Sequence, residues 1–152
     1  MGFKVLVVED DGLVLRAIKR ILSKCDVDIM CATNGETGLE LFYRKKFDIV
    51  VTDIMLGGLD GITMAQRICD RYPETPVIFV SARSDTAAEA LKVVTNGFFL
   101  EKPFHNTELQ ELVKWAQAII ANTHSDVNGT FNKDFIQNNS TGSKPTFITA
   151  DG

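Results

Sequence analysis

Five short apolar runs, each followed by a helix-length amphipathic segment, constrain this chain more than any other feature. Phe3-Lys4-Val5-Leu6-Val7-Val8 is a β-branched run and predicts a first strand. Leu13, Val14, Ala17, Ile18, Ile21 and Leu22 then recur at helical spacing up to Lys24, with Arg16, Lys19 and Arg20 on the opposite side. Val27 to Ala32 predicts strand two, and Asn34-Gly35 opens a helix carrying Leu39, Leu41 and Phe42. Asp48 to Thr52 predicts strand three, and the loop Gly57-Gly58-Leu59-Asp60-Gly61 leads into a helix from Ile62 to Arg71. Pro73 and Pro76 bracket a turn before strand four, Val77 to Val80. A fourth helix is expected from Asp85 to Thr95 and a fifth strand at Phe98-Phe99-Leu100. The last helix is expected from Asn106, its cap, to Ala121. Continuous apolar strands separated by helices imply a parallel sheet covered on both faces. Right-handed crossovers make this a doubly wound, three-layer α/β domain.

That pattern ends near residue 122. Residues 123–152 are rich in Asn, Thr, Ser, Gly and Lys, and read as a polar linker or flexible C-terminal tail. Within it, Lys144 to Thr149 is a candidate extended patch that docks elsewhere. The chain has 152 residues, 45% hydrophobic and 24% charged, which suits one domain around one core. No run approaches about 18 consecutive apolar residues, so no membrane span is expected. Met1 runs straight into a strand-like segment, so no signal peptide is expected. A net charge of -4 argues against direct nucleic-acid binding, which favours basic patches. Cys25, Cys31 and Cys69 lack metal-ligand or redox-pair spacing and are expected as free thiols in a reducing cytoplasm.

The chemistry lies in polar residues at strand ends. Glu9 and Asp10 follow strand one, Asp53 strand three, Ser81 strand four and Lys102 strand five. In a parallel sheet all of these fall at the carboxyl edge, where doubly wound folds bind ligands. Each residue alone has an ordinary reading: a solvated loop acid, a turn aspartate, a strand-end hydroxyl, a surface lysine. Together they converge. Three neighbouring carboxylates repel one another unless a cation intervenes, and hard oxygen ligands suit Mg²⁺. A carboxylate beside such a metal can attack phosphorus and form an acyl phosphate. The charge on the transferring group needs cations and donors already in place, which Mg²⁺, Lys102 and Ser81 would supply.

These stretches resemble the receiver domain of response regulators in two-component phosphorelay signalling, of the chemotaxis-regulator type. The matching segments are Val7-Val8-Glu9-Asp10-Asp11, Ala32-Thr33-Asn34-Gly35, Asp48 to Met55, Leu59-Asp60-Gly61, Ser81-Ala82-Arg83 and Leu100-Glu101-Lys102-Pro103-Phe104. The resemblance covers roughly residues 3 to 121. It implies a flavodoxin-like (βα)5 fold with strand order 2-1-3-4-5, and a receiver domain over residues 1–122. It implies that Asp53 is the phosphoacceptor, with Asp10 a direct Mg²⁺ ligand, Glu9 a ligand directly or through water, and the Met55 backbone carbonyl a further ligand. Ser81 and Lys102 would contact the phosphoryl oxygens, and Lys102-Pro103 would be a cis peptide. Phe99 matches the aromatic switch that turns inward on phosphorylation, although Phe98 could exchange roles with it. The implied partners are a histidine kinase or histidine phosphotransfer protein as donor and a downstream protein target or effector domain. A phosphorylation-dependent dimer is a further expectation. His105 and His124 are expected to be solvated rather than phosphodonors.

Three departures fall near the surface that receivers use for output. Gly57 stands where proline is usual, Val94-Thr95-Asn96-Gly97 lacks the usual Gly-Ala, and Phe98-Phe99 is unusually aromatic. Rival readings fare worse. An aspartyl phosphatase needs a second aspartate two residues after the nucleophile, where Met55 stands. A flavodoxin-like nucleotide module needs a glycine-rich phosphate loop after strand one, where an acidic one stands. A degenerate receiver, used only for contact, would not retain the complete set of acids, Ser81 and Lys102. The expectation is therefore a phosphoacceptor switch rather than an enzyme acting on a separate substrate, and a cytoplasmic one. Residues 123–152 are too few for an effector domain, which leaves a stand-alone receiver or a piece of a longer regulator or hybrid kinase.

Overall fold

The computed structural model describes residues 2–124. Five strands, β1 (Phe3–Val8), β2 (Val27–Ala32), β3 (Ile49–Asp53), β4 (Val77–Ser81) and β5 (Gly97–Glu101), alternate with five helices. The helices are α1 (Gly12–Leu22), α2 (Gly35–Lys45), α3 (Gly61–Arg71), α4 (Ala87–Lys92) and α5 (Asn106–His124). All strand pairs are parallel and the order is β2-β1-β3-β4-β5, as expected. The first two residues of the expected tail, Thr123 and His124, continue α5, and residues 125–152 lie outside the described residues, as does the Lys144–Thr149 patch.

The central strands explain why the sheet forms here. Ile49, Val50 and Val51 of β3 and Val77, Ile78, Phe79 and Val80 of β4 have no exposed surface. Each such side chain, buried on one or other face, stabilises the fold by about 1.5–3 kcal/mol. Leu6, Val8, Val50 and Phe79 pack on one face against Phe42 of α2, Met64, Ala65 and Ile68 of α3, and Ala90 and Leu91 of α4. Val5, Val7, Val51, Ile78 and Val80 pack on the other against Ile18 and Leu22 of α1 and Leu109, Leu112 and Val113 of α5.

Three helices start on acid or amide caps just beyond the carboxyl ends of strands or in the loop that follows β3. Asp11 accepts from the Leu13 and Val14 N–H groups, Asn34 from Thr37 N–H and Asp60 from Thr63 N–H. Each satisfies donors the helix leaves unpaired, a contribution of about 1 kcal/mol.

Several expectations are corrected. Leu13, placed on the buried stripe of α1, is 77% exposed and Ala17, four residues on along the same face, is also exposed; the buried stripe runs through Ile18, Ile21 and Leu22. Asn106 is the first helical residue of α5, not its cap. His105 precedes it, and the His105 N–H donates to the Glu108 carboxylate at 2.8 Å. The fourth helix is much shorter than Asp85 to Thr95. Ser84–Thr86 form a 3₁₀ turn and α4 spans only Ala87–Lys92. Sheet pairing ends it: the Asn96 carbonyl accepts from Val77 N–H at 2.9 Å, and the Asn96 side chain donates to the Glu74 carbonyl at 2.9 Å. The three cysteines are free; Cys69 is buried, and Cys25 and Cys31 are half-buried.

Candidate functional site

Parallel pairing carries the strand-end residues to one edge. Asp53 is the last residue of β3 and pairs with Val80, so Ser81 lies one step beyond it on β4. Pairing of β4 with β5 continues past the strand, since Lys102 N–H donates to the Ser81 carbonyl at 2.8 Å. Lys102 is followed by the expected cis peptide to Pro103. On the other side of β3, Val8 of β1 pairs with Thr52, which sets Glu9 and Asp10 beside Asp53.

The Lys102 ammonium lies between two carboxylates. Its Nζ donates to Asp53 Oδ2 at 2.9 Å and to Glu9 Oε2 at 3.0 Å. Glu9 is 1% exposed and Asp53 7% exposed, so the cation offsets two acids that water barely reaches. The remaining oxygens also have partners: Glu9 Oε1 accepts from Asp11 N–H at 3.2 Å, and Asp53 Oδ1 from Met55 N–H at 3.1 Å. Asp10 is exposed, and carboxylate oxygens of Glu9, Asp10 and Asp53 all lie within 4.8 Å of one another.

Burial dominates the electrostatics. It pushes the Glu9 carboxyl up to about 7, opposed by its hydrogen bond to Lys102 and assisted by the nearby Asp53 charge. For Lys102 burial acts downward, but the hydrogen bonds to Asp53 and Glu9 outweigh it and hold the ammonium above its ordinary range. The two directions pull against each other, because a protonated Glu9 would support Lys102 less. Lys102 stays charged, since Asp53 gives it a close acceptor whatever the state of Glu9. Three hard oxygen donors clustered with an exposed member also fit a divalent cation that keeps part of its water shell.

Of the residues expected at the site, Glu9, Asp10, Asp53 and Lys102 come into direct proximity. Met55 contributes through its backbone, while its side chain is 55% exposed. Ser81 is fully buried and its Oγ accepts from Arg83 N–H at 3.1 Å. Phe99 lies away from the acids, paired with Phe79, and at 3% exposure it is already turned inward. Phe98 and Phe99 point to opposite faces. Phe99 packs with the cluster that includes Ala87, Leu91 and Val94, and Phe98 with the α5 cluster.

Sequence reading missed Glu36. It follows the recognised Asn34-Gly35 pair, and its Oε1 accepts from Leu59 N–H at 2.8 Å. Only a contact between residues far apart in the chain reveals it.

Comparison with known proteins agrees with this geometry. The family model described as response regulator receiver domain matches residues 5–114. The positive alginate biosynthesis regulatory protein of Pseudomonas aeruginosa is 38% identical over 115 residues, covering 74% of this chain. This chain spans 46% of that longer protein. The receiver domain of a Francisella response regulator superposes with a TM-score of 0.67 at 29% identity, over 80% of this chain and 99% of that one. The receiver domain of a sensor histidine kinase from Pseudomonas aeruginosa, solved with a magnesium ion in its active-site cleft, has a TM-score of 0.69. It covers 77% of this chain and 99% of its own, and at 24% identity the likeness is one of fold. The chain belongs to the response regulator receiver domain family.

Proposed function

We propose that Asp53 accepts a phosphoryl group from the phosphohistidine of a histidine kinase or histidine phosphotransfer protein, and that the aspartyl phosphate switches protein contacts. The observation that carries this is the Lys102 ammonium held between Asp53 and Glu9, with Asp10 alongside, at the open edge of the sheet. Glu9, Asp10, Asp53 and the Met55 carbonyl would hold Mg²⁺. When bound, Mg²⁺ neutralises charge on the phosphoryl oxygens.

The protein's own part is positioning. Met55 N–H and Lys102 orient the two Asp53 oxygens. One of these oxygens attacks phosphorus; a P–O bond forms, the N–P bond breaks and its electron pair returns to the donor imidazole. Lys102 then stabilises charge on a phosphoryl oxygen, and the Ser81 hydroxyl donates to another. Dephosphorylation runs through water attack at phosphorus, restoring the carboxylate and releasing phosphate. In this sense the receiver catalyses its own modification without acting on a separate substrate.

Output follows from Ser81. Its Oγ accepts from Arg83 N–H and keeps its own O–H free to donate, so turning toward the phosphoryl group draws the β4–α4 connection with it. Phe99 is the switch aromatic beneath that connection. Because it is already buried, phosphorylation stabilises an arrangement the fold can reach without it, a shift in populations. The face of α4, β5 and α5 is the surface reshaped, for a downstream target, an effector domain or a second phosphorylated copy. We place the protein in the cytoplasm with its donor; among the described residues no helix is long and apolar enough to cross a membrane. The receiver unit takes in residues 1–122 and the last turn of α5, which runs on to His124.

Incubation with acetyl phosphate and Mg²⁺, read by intact mass, tests the reading. The wild type should gain one phosphoryl group and Asp53→Asn none; an adduct that persists in Asp53→Asn overturns the assignment.

A further inference from the structure

The loop from Ile54 to Asp60 joins the phosphoacceptor strand to α3 and carries the Met55 backbone. Its base is closed on one atom: the Ile54 carbonyl accepts from Leu56 N–H at 3.0 Å and from Gly61 N–H at 2.9 Å. Its crest contains two glycines. A side chain at Gly57 would meet open space, and Gly58 sits at φ +77°, where glycine is favoured. Nothing in the residue types of this crest stiffens it.

The crest is held from outside. Glu36, in the first turn of α2, accepts from Leu59 N–H through Oε1 at 2.8 Å. Its carboxylate also occupies the space above Gly58, where a Cβ would lie 2.6 Å from Oε1 and 3.2 Å from Oε2. Among the described residues the backbone of residues 54–60 is held by side chains of two other elements, Asp53 of β3 at the root through Met55 N–H and Glu36 of α2 at the crest. Gly35 lets α2 come close enough, since a Cβ there would collide with the Leu59 carbonyl. Glu36 itself is exposed, so the fold does not bury it for packing.

We propose that Glu36 is a positioning residue for the phosphorylation site: a latch whose carboxylate fixes the Gly57-Gly58-Leu59 crest and thereby the Met55 backbone beside Asp53. The inference rests on the reading of Asp53 and Mg²⁺ given above. Met55 is joined to Asp53 by its N–H at 3.1 Å, and its carbonyl is the proposed metal ligand. A loop free to swing at two glycines would present that carbonyl in many orientations, and the latch narrows them. Groups that orient metal ligands from behind affect affinity without touching the ion.

The test compares Glu36→Ala with Glu36→Gln in the full chain. Glutamine keeps an oxygen that can accept from Leu59 N–H but removes the charge. Isothermal titration with Mg²⁺ should show affinity about tenfold lower in Glu36→Ala and close to wild type in Glu36→Gln. Amide exchange at Leu59, read by NMR without metal, should be faster in Glu36→Ala only. Phosphorylation by acetyl phosphate should be slower in Glu36→Ala at low Mg²⁺ and recover at saturating Mg²⁺. Mg²⁺ affinity in Glu36→Ala within twofold of wild type overturns the proposal. So does an equal loss in Glu36→Gln, which would assign the effect to charge, and so does a fall in melting temperature without a change in affinity. Failure of the wild type to bind Mg²⁺ or take a phosphoryl group overturns the reading of the site itself, whereas unchanged Leu59 exchange overturns the latch alone.

Discussion

Lys102 sits where two acids would otherwise confront each other out of reach of water. Its ammonium contacts both Glu9 and Asp53 within 3.0 Å, so a donor is already in place at the carboxylate that would take the phosphoryl group. Removing it takes away one preorganised charge from the transition state. Lys102→Ala should therefore slow phosphorylation by acetyl phosphate by about 10²-fold at saturating Mg²⁺, in an intact-mass time course. Lys102→Arg should recover only part of this, because a planar guanidinium does not fill the position of a compact ammonium. A Lys102→Ala rate within a few-fold of wild type would remove the lysine from the chemistry. Lys102 was legible in sequence because Pro103 follows it and an apolar run precedes it. The pairing of its ammonium with Glu9 was not, since residues 93 positions apart meet only in the folded sheet.

At the scale of elements, the loop between β3 and α3 is the least regular part of the site. Gly58 combines a positive φ with the Glu36 carboxylate overhead, so a side chain there is opposed twice. Gly58→Ala should lose about 1–2 kcal/mol from backbone strain alone, measured by urea denaturation, and should also displace Glu36. A variant as stable as wild type would show that the loop relaxes freely. The fourth helix teaches a different lesson. Ala87, Ala90, Leu91 and Val94 recur as a helical stripe and all are buried, yet the helix stops at Lys92. Local periodicity does not register that the Asn96 carbonyl is already committed to Val77 of the neighbouring strand. The Asn106 expectation failed by one residue at a helix end, where caps decide.

For the whole molecule, the acid cluster links folding, pH and metal. Glu9 has its folded pKa raised from 4.5 to about 7, mainly by burial. The folded state then holds a proton that the unfolded chain releases, so this group's contribution is full below about pH 4.5 and lost as pH rises through about 7. The melting temperature of the metal-free protein should thus carry a falling component between pH 5 and pH 8, absent in Glu9→Gln. Mg²⁺ requires the deprotonated ligand, so the rise in melting temperature on adding Mg²⁺ should be larger at pH 8 than at pH 5.5, by scanning calorimetry. An equal rise at both pH values would detach Glu9 from the metal site.

Sequence alone determined the order and type of the ten elements, because apolar runs of strand length and stripes of helical period each bury one surface and admit few arrangements. It also determined which residues stand at the strand ends, since parallel pairing sends all of them to one edge. The tertiary structure decided what those residues do to one another. It placed the Lys102 ammonium between Glu9 and Asp53, set Phe99 among α4 residues and Phe98 among α5 residues, and brought Glu36 onto a loop 23 residues away. The physical reason is range. Propensity and periodicity act over a few residues, whereas burial, pairing and charge act between segments that only the completed sheet makes neighbours.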